Sequence, residues 1–108
     1  MKIRAIVKNP REAYGHLTEI ENELSALQRV VGGYIEVIRY KNLLIICNED
    51  GNLRRLEPNL YLSKTLLVGT IIVCGRDGEE FADVPIDFQN WKNIVDMSAT
   101  NIRKELKR

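Results

Sequence analysis

With 108 residues, the chain is sized for one domain and leaves little room for a second. Hydrophobic residues make up 44% and charged residues 29%, a globular balance far from the signature of disorder. Lys plus Arg is 16 against 15 for Asp plus Glu, a net charge of +1, which excludes strong whole-molecule attraction to a polyanion.

Ile3, Ala5 and Val7 alternate with Lys2 and Arg4, the period-two pattern of a half-buried strand that ends at Asn9-Pro10. His16 to Ile20 is expected to return beside it across the Asn9 to Gly15 loop. From Asn22 the period changes: Leu24, Leu27, Val30 and Val31 fall on one helical face. The spacing predicts a helix over about 23–31, with Asn22 as N-cap and Gly32-Gly33 as its stop.

Tyr34 to Tyr40 and Leu43 to Cys47 read as a hairpin around Lys41-Asn42, placed at the centre of the sheet. The second of these strands is apolar at every position, so cover is expected on both faces, from the first helix and from either the C-terminal helix or a dimer partner. Asn48 to Asn52 is a cluster of turn formers. Leu53 to Leu56 is expected to return as a short strand, broken at Glu57-Pro58-Asn59. Thr70 to Cys74 reads as a buried strand closed by a Gly75-Arg76-Asp77-Gly78 turn, with Gly69 marking a bulge or a close backbone approach at its start. After Pro85, Phe88, Trp91, Ile94 and Val95 share a helical face, and Asp87 stands where an N-cap is wanted. The whole is an α+β fold: a small antiparallel or mixed sheet of about 5–6 strands packed with two helices, in the order ββαββ(β)βα. Residues 1–97 form the domain, and 98–108 a short basic C-terminal helix or tail.

Chemistry is sparse. Cys47 and Cys74 lie in apolar runs without a CxxC spacing or a His cluster, and read as buried free thiols. His16 is the sole histidine, so any Ser/His/Asp or Cys/His relay would have to use it, and nothing in the spacing ties it to a nucleophile. Glu49, Asp50, Asp77, Glu79, Glu80 and Asp83 would converge on a hard cation if their turns shared one end of the sheet; turn chemistry explains them better, and no metal or cofactor is expected. Gly32-Gly33 follows a helix and Gly75 to Gly78 lacks a Lys-Ser/Thr, so neither is a phosphate loop. No stretch has the make-up of a secretion signal or a membrane span, and the chain reads as cytoplasmic.

Taken in order, "VGGYIE" at Val31 to Glu36, "CNEDG" at Cys47 to Gly51, "EPN" at Glu57 to Asn59 and "GTIIV" at Gly69 to Val73 form a pattern. It resembles a small domain-of-unknown-function family (DUF 3846-like) of phages and conjugative or mobile elements, over roughly Lys2 to Val95. The resemblance implies a genomic setting and carries no catalytic residues across. By analogy with other accessory proteins of such elements, the expected function is a non-enzymatic, stoichiometric inhibitor of a bacterial defence protein in the host cell, a CRISPR effector being one candidate.

Its expected contact residues are Glu49, Asp50, Arg54, Arg55, Asp77, Glu79 and Glu80, charged groups on exposed loops. A second expectation is sequestration of a small nucleotide at an oligomer interface by Tyr34, Tyr40, Arg54 and Arg55, through stacking and Arg–phosphate contacts. A third is a DNA-binding accessory factor using Arg103, Lys104, Lys107 and Arg108.

Overall fold

The structure, a computed structural model, describes the backbone of residues 1–106 and side chains through residue 99. Its elements are β1 (Lys2–Lys8), β2 (His16–Glu21), α1 (Leu24–Val31), β3 (Ile35–Tyr40), β4 (Leu43–Asn48), β5 (Pro58–Leu62), β6 (Thr65–Val68), β7 (Ile71–Asp77), β8 (Glu80–Ala82) and α2 (Phe88–Leu106). The main sheet runs β2-β1-β7-β4-β3, every neighbour antiparallel, with β8 paired to the far end of β7; β5 and β6 form a separate hairpin. The α+β class and the expected sequence of elements hold, with three more short strands than the shortest reading of the pattern.

Two apolar layers sandwich the sheet. On one face Ala26, Leu27 and Val31 of α1 pack on Ile3, Ala5, Ile46, Ile72 and Cys74. On the other, Trp91 and Val95 of α2 join Leu60, Leu62 and Leu67 of the β5–β6 hairpin over Ile6, Leu43, Ile45, Ile71 and Val73. The cover on β4's second face is therefore α2 together with this hairpin. The centre of the sheet is β7, buried on both faces from Ile71 to Gly75, whereas β3 lies at an edge. Apolar β4 beside amphipathic β3 reflects that asymmetry.

Several local expectations are corrected. Asn22 does not cap α1: the N-cap position is Glu23, without a side-chain cap bond, and Asn22 Nδ2 instead donates to the Phe81 carbonyl at 3.1 Å, tying the helix entry to β8. Leu24 is exposed and Ala26 takes its place in the buried stripe, because the face of α1 turned to the sheet is made by Ala26, Leu27, Val30 and Val31. Ile6 and Lys8 are buried as well as Ile3 and Ala5, since the second half of β1 is covered on both sides.

Leu53 to Leu56 is not a strand. The chain from Gly51 turns tightly, with Arg54 N donating to Asp50 O at 2.9 Å and Leu56 N to Gly51 O at 3.0 Å. The strand begins at Pro58, the residue expected to break one; proline is tolerated at the first position of an edge strand, where its missing N–H costs no ladder bond. The β5–β6 turn is Ser63-Lys64, both at positive φ (47° and 64°), the backbone of a type I′ hairpin without its usual Asn-Gly signal.

The expected turn from Gly75 is also displaced. β7 continues to Asp77, Gly78 turns at φ 62°, and β8 returns. Gly75 is required for another reason: a Cβ there would lie 2.4 Å from the Asp83 carbonyl oxygen and 3.2 Å from Pro85 Cδ, because 83–85 cross directly over it. At α2, Asp87 caps as expected, its Oδ1 accepting from Asn90 N at 2.8 Å. The α2 backbone runs unbroken past Ser98, whose hydroxyl donates to the Tyr61 carbonyl, to Leu106, so the described part of the basic segment continues this helix.

Candidate functional site

At one end of the sheet, three chain segments meet around the C-terminus of α1. Gly32 ends that helix at φ 81°, its N–H donating to Gln28 O at 2.8 Å. The helix's last carbonyls, which lack intrahelical donors, are taken by side chains from the next loop: Asn48 Nδ2 donates to Val31 O at 3.1 Å and Arg54 Nη1 to Gly32 O at 2.9 Å. Gly33 lies against both donors; a Cβ there would be 2.9 Å from Asn48 Nδ2. Asn48 Oδ1 also accepts from Asp50 N at 2.8 Å, and Glu49 N donates to Tyr34 O at 2.9 Å. The turn following β4 is thus tied at both ends, and Leu56 anchors it by packing against Gly51 and Gly69.

This rigid turn carries Leu53 at its outer surface, 86% exposed, and beside its base stands Tyr34, 69% exposed. Glu49, Arg54 and Arg55 of the same turn are exposed, while Asp50 is half-buried. Arg55 occupies the left-handed region at φ 54°, a conformation uncommon for a residue with a side chain. Of the basic pair, Arg54 is committed to the helix cap and Arg55 has no carboxylate within ion-pair distance among the described residues.

Asp77, Glu79 and Glu80 do not join this cluster. Ile46 faces Ile72 across the β4–β7 ladder; Glu49 lies three residues beyond that pair in one direction and Asp77 five in the other, about 26 Å apart at roughly 3.3 Å per residue. The two acidic turns occupy opposite ends of the sheet because their strands run antiparallel, and no group of three or more metal-ligating side chains forms among the described residues. The expected single contact surface is therefore two surfaces.

The nucleotide constellation is likewise divided. Tyr34 precedes β3 and Tyr40 ends it, about 20 Å apart along the strand, so one small ligand would need residues from two copies to touch both. Tyr40 is half-buried against the α2-side core, and Lys41 Nζ sits 5.5 Å above its ring. The side chains of Arg103 and Lys104, and all of Lys107 and Arg108, lie outside the described residues.

The remaining reactive groups serve the fold. Burial pushes the Cys47 thiol up to about 11, with Glu36 adding to the rise, and the Cys74 thiol up to about 12, which suppresses thiolate chemistry near neutral pH. His16 Nδ1 lies 2.8 Å from Glu12 Oε2 on the surface, and this hydrogen bond, with further bonds from Asn9, holds the Glu12 carboxyl below its ordinary range. Lys8 is only 3% exposed. Its Nζ donates to Asn59 Oδ1 at 2.7 Å, and Asn59 Nδ2 donates to Lys8 O at 2.8 Å and to Gly69 O at 2.7 Å. Asn59 thereby locks the β5–β6 hairpin onto β1.

The motifs that sequence reasoning singled out thus have structural assignments: Gly32-Gly33 with Asn48 joins α1 to the sheet, and Asn59 with Gly69 joins the hairpin to it. Sequence reasoning missed Leu53 as a surface feature by placing it in a strand. Its signal was an isolated leucine between Asn52 and Arg54-Arg55, outside any alternation. No helix among the described residues is long and apolar enough to cross a membrane.

No curated protein and no solved structure matches the chain. The family model described as Domain of unknown function (DUF3846) matches residues 1–97, nearly the whole folded unit, and the chain belongs to that family.

Proposed function

We propose that this protein is a non-enzymatic accessory protein of a phage or mobile element that inhibits a bacterial defence component by stoichiometric binding to its surface, a CRISPR effector being one candidate. The genomic setting comes from the family resemblance. The observation that carries the binding reading is the turn from Asn48 to Leu56, which holds Leu53 and Tyr34 exposed on a backbone fixed by hydrogen bonds at both ends.

An exposed leucine on a preorganised turn contributes little to the fold, yet its burial in a partner would contribute about 1.5–3 kcal/mol. Because the turn is already ordered, little conformational entropy is lost on docking. Tyrosine beside it supplies a large contact of two rotatable angles, and Arg55 and Glu49 at the rim set orientation and encounter rate. A small apolar centre ringed by charge is the usual anatomy of a transient interface.

The test is functional. Expressed in a host whose CRISPR system restricts a phage, the native chain should restore plating, and the Leu53→Asp/Tyr34→Ala variant should lose that rescue with an unchanged melting temperature. Full rescue by the folded variant would remove this turn from the interface, and failure of the native chain against a panel of defence systems would remove the inhibitor reading.

A further inference from the structure

At the opposite end of the sheet, β4 stops at Leu43 while β7 runs on to Asp77. The step leaves a cleft of about 300 Å³, and Arg39, Lys41 and Arg76 line it with Leu44, Asp83 and Pro85. Arg39 pairs with Leu44, and Leu44 with Cys74, two residues before Arg76. Strand spacing and rise put the Arg39 and Arg76 Cα atoms about 12 Å apart, within reach of one small ligand held between their side chains.

Among the described residues, none of the three cations has a carboxylate within ion-pair distance. Asp83, the carboxylate in the lining, turns its Oδ1 to the backbone N–H of Arg4 at 2.7 Å. The three cations of the lining outnumber its one carboxylate, and a multivalent anion relieves their mutual repulsion. A single carboxylate cannot balance them; a diphosphate can, with planar guanidinium forks gripping phosphate oxygens and lysine acting as a point charge. Leu44 and Pro85 provide an apolar wall, and the volume sits at the lower limit for small-molecule sites.

We propose that this cleft binds a small diphosphate-bearing ligand of nucleoside diphosphate size through Arg39, Lys41 and Arg76, as a site separate from the Leu53 turn. The whole chain would be titrated calorimetrically with ADP, with inorganic pyrophosphate and with a short DNA duplex, at low and physiological salt. The variants are Arg39→Gln, Arg76→Gln, and Arg29→Gln as a charge-matched control on α1.

Saturable one-to-one binding of ADP, weakened about tenfold or more by each cleft substitution and unaffected by Arg29→Gln, is expected. Equal affinity for pyrophosphate would assign recognition to the phosphates alone; tighter binding of ADP would add the apolar wall. Equal weakening by Arg29→Gln, retention of binding in the Arg39→Gln/Arg76→Gln double variant, or absence of binding to both small probes at millimolar concentration would overturn the assignment. Tighter binding of the duplex than of ADP, lost steeply with salt, would overturn it in favour of a nucleic-acid surface.

Discussion

Replacing Asn59 with alanine removes the joint between β1 and the β5–β6 hairpin. Three hydrogen bonds disappear: Lys8 Nζ to Asn59 Oδ1 at 2.7 Å, and Asn59 Nδ2 to the Lys8 and Gly69 carbonyls at 2.8 and 2.7 Å. Neutral bonds contribute about 1 kcal/mol each and one to a charged group about 1.5–3 kcal/mol, so the loss is about 4 kcal/mol. For a domain of this size that lowers the melting temperature by about 15 °C, a large share of a total stability of about 5–15 kcal/mol.

The loss also has a pH signature. Burial lowers the Lys8 pKa from its ordinary value, opposed by the nearby Glu12 carboxylate, and the loss of its side-chain acceptor, which leaves only the Asn59 carbonyl at 3.5 Å, lowers it further in the variant. The unfolded chain keeps Lys8 near about 10.4 in both proteins. The difference in stability is therefore full well below the variant's folded Lys8 pKa, where the amine is charged in both folded forms. It shrinks as pH rises through the variant's folded pKa, because a neutral amine needs Asn59 less. Urea unfolding of both proteins at pH 7 and at pH 9.5 measures this directly. A penalty below about 1 kcal/mol, or one that grows with pH, would refute the assignment of Lys8 and Asn59 as partners.

Three further outcomes follow from the packing. Gly32→Ala should cost about 1 kcal/mol, since its φ of 81° disfavours a side chain but a Cβ there meets nothing within 4 Å; Gly33→Ala should cost more, because its Cβ displaces Asn48 Nδ2 from the Val31 carbonyl, and equal thermal shifts would contradict the cap geometry. Trp91→Phe should lose about 1–3 kcal/mol through the bond from Nε1 to the Tyr14 carbonyl at 2.8 Å, with hydrogen exchange quickening in the Asn9 to Gly15 loop that this bond anchors. Cys47 and Cys74 should label with a disulfide reagent only on unfolding; rapid labelling of native protein at pH 7.5 would show that the thiols are not held up near 11 and 12.

What the sequence made legible follows the strength of local periodicity. Alternating β1, the apolar run of β4 and the Trp91 face of α2 each bury a continuous set of side chains, so pattern and packing agree. β5, β6 and β8 were hidden for specific reasons. Pro58 looks like a terminator yet starts an edge strand; Ser63-Lys64 makes a type I′ turn without glycine; and Glu80–Ala82 is too short to show a period. The centre of the sheet was misplaced because apolarity marks burial and not strand order. That Ile71–Asp77 lies between β1 and β4 is a matter of long-range pairing, which no local pattern encodes.

The same limit governs the candidate sites. Glu49 and Asp77 look alike in sequence, as acidic turns after apolar strands, and only the antiparallel β4–β7 pairing sends them to opposite ends. Arg39 and Arg76 are 37 positions apart and share no motif; β4 ending before β7 brings them to one cleft. Conversely, the residues that carry the family resemblance, Gly33, Asn48, Asn59 and Gly69 among them, are occupied in holding α1 and the hairpin to the sheet. Recognition of the family by those residues therefore reports the scaffold and says nothing of what the scaffold binds. Binding must be sought where the scaffold leaves side chains without an ion-pair partner or an apolar neighbour, at Leu53 and Tyr34 at one end and in the cleft of Arg39 and Arg76 at the other. With about 26 Å of rigid sheet between the two ends, a substitution at either should leave the other unaltered, beyond the range at which screened surface charges interact appreciably. A variant that lost both the phosphate ligand and phage rescue would therefore point to coupling through a partner or a second copy, and independent loss would establish two sites on one scaffold.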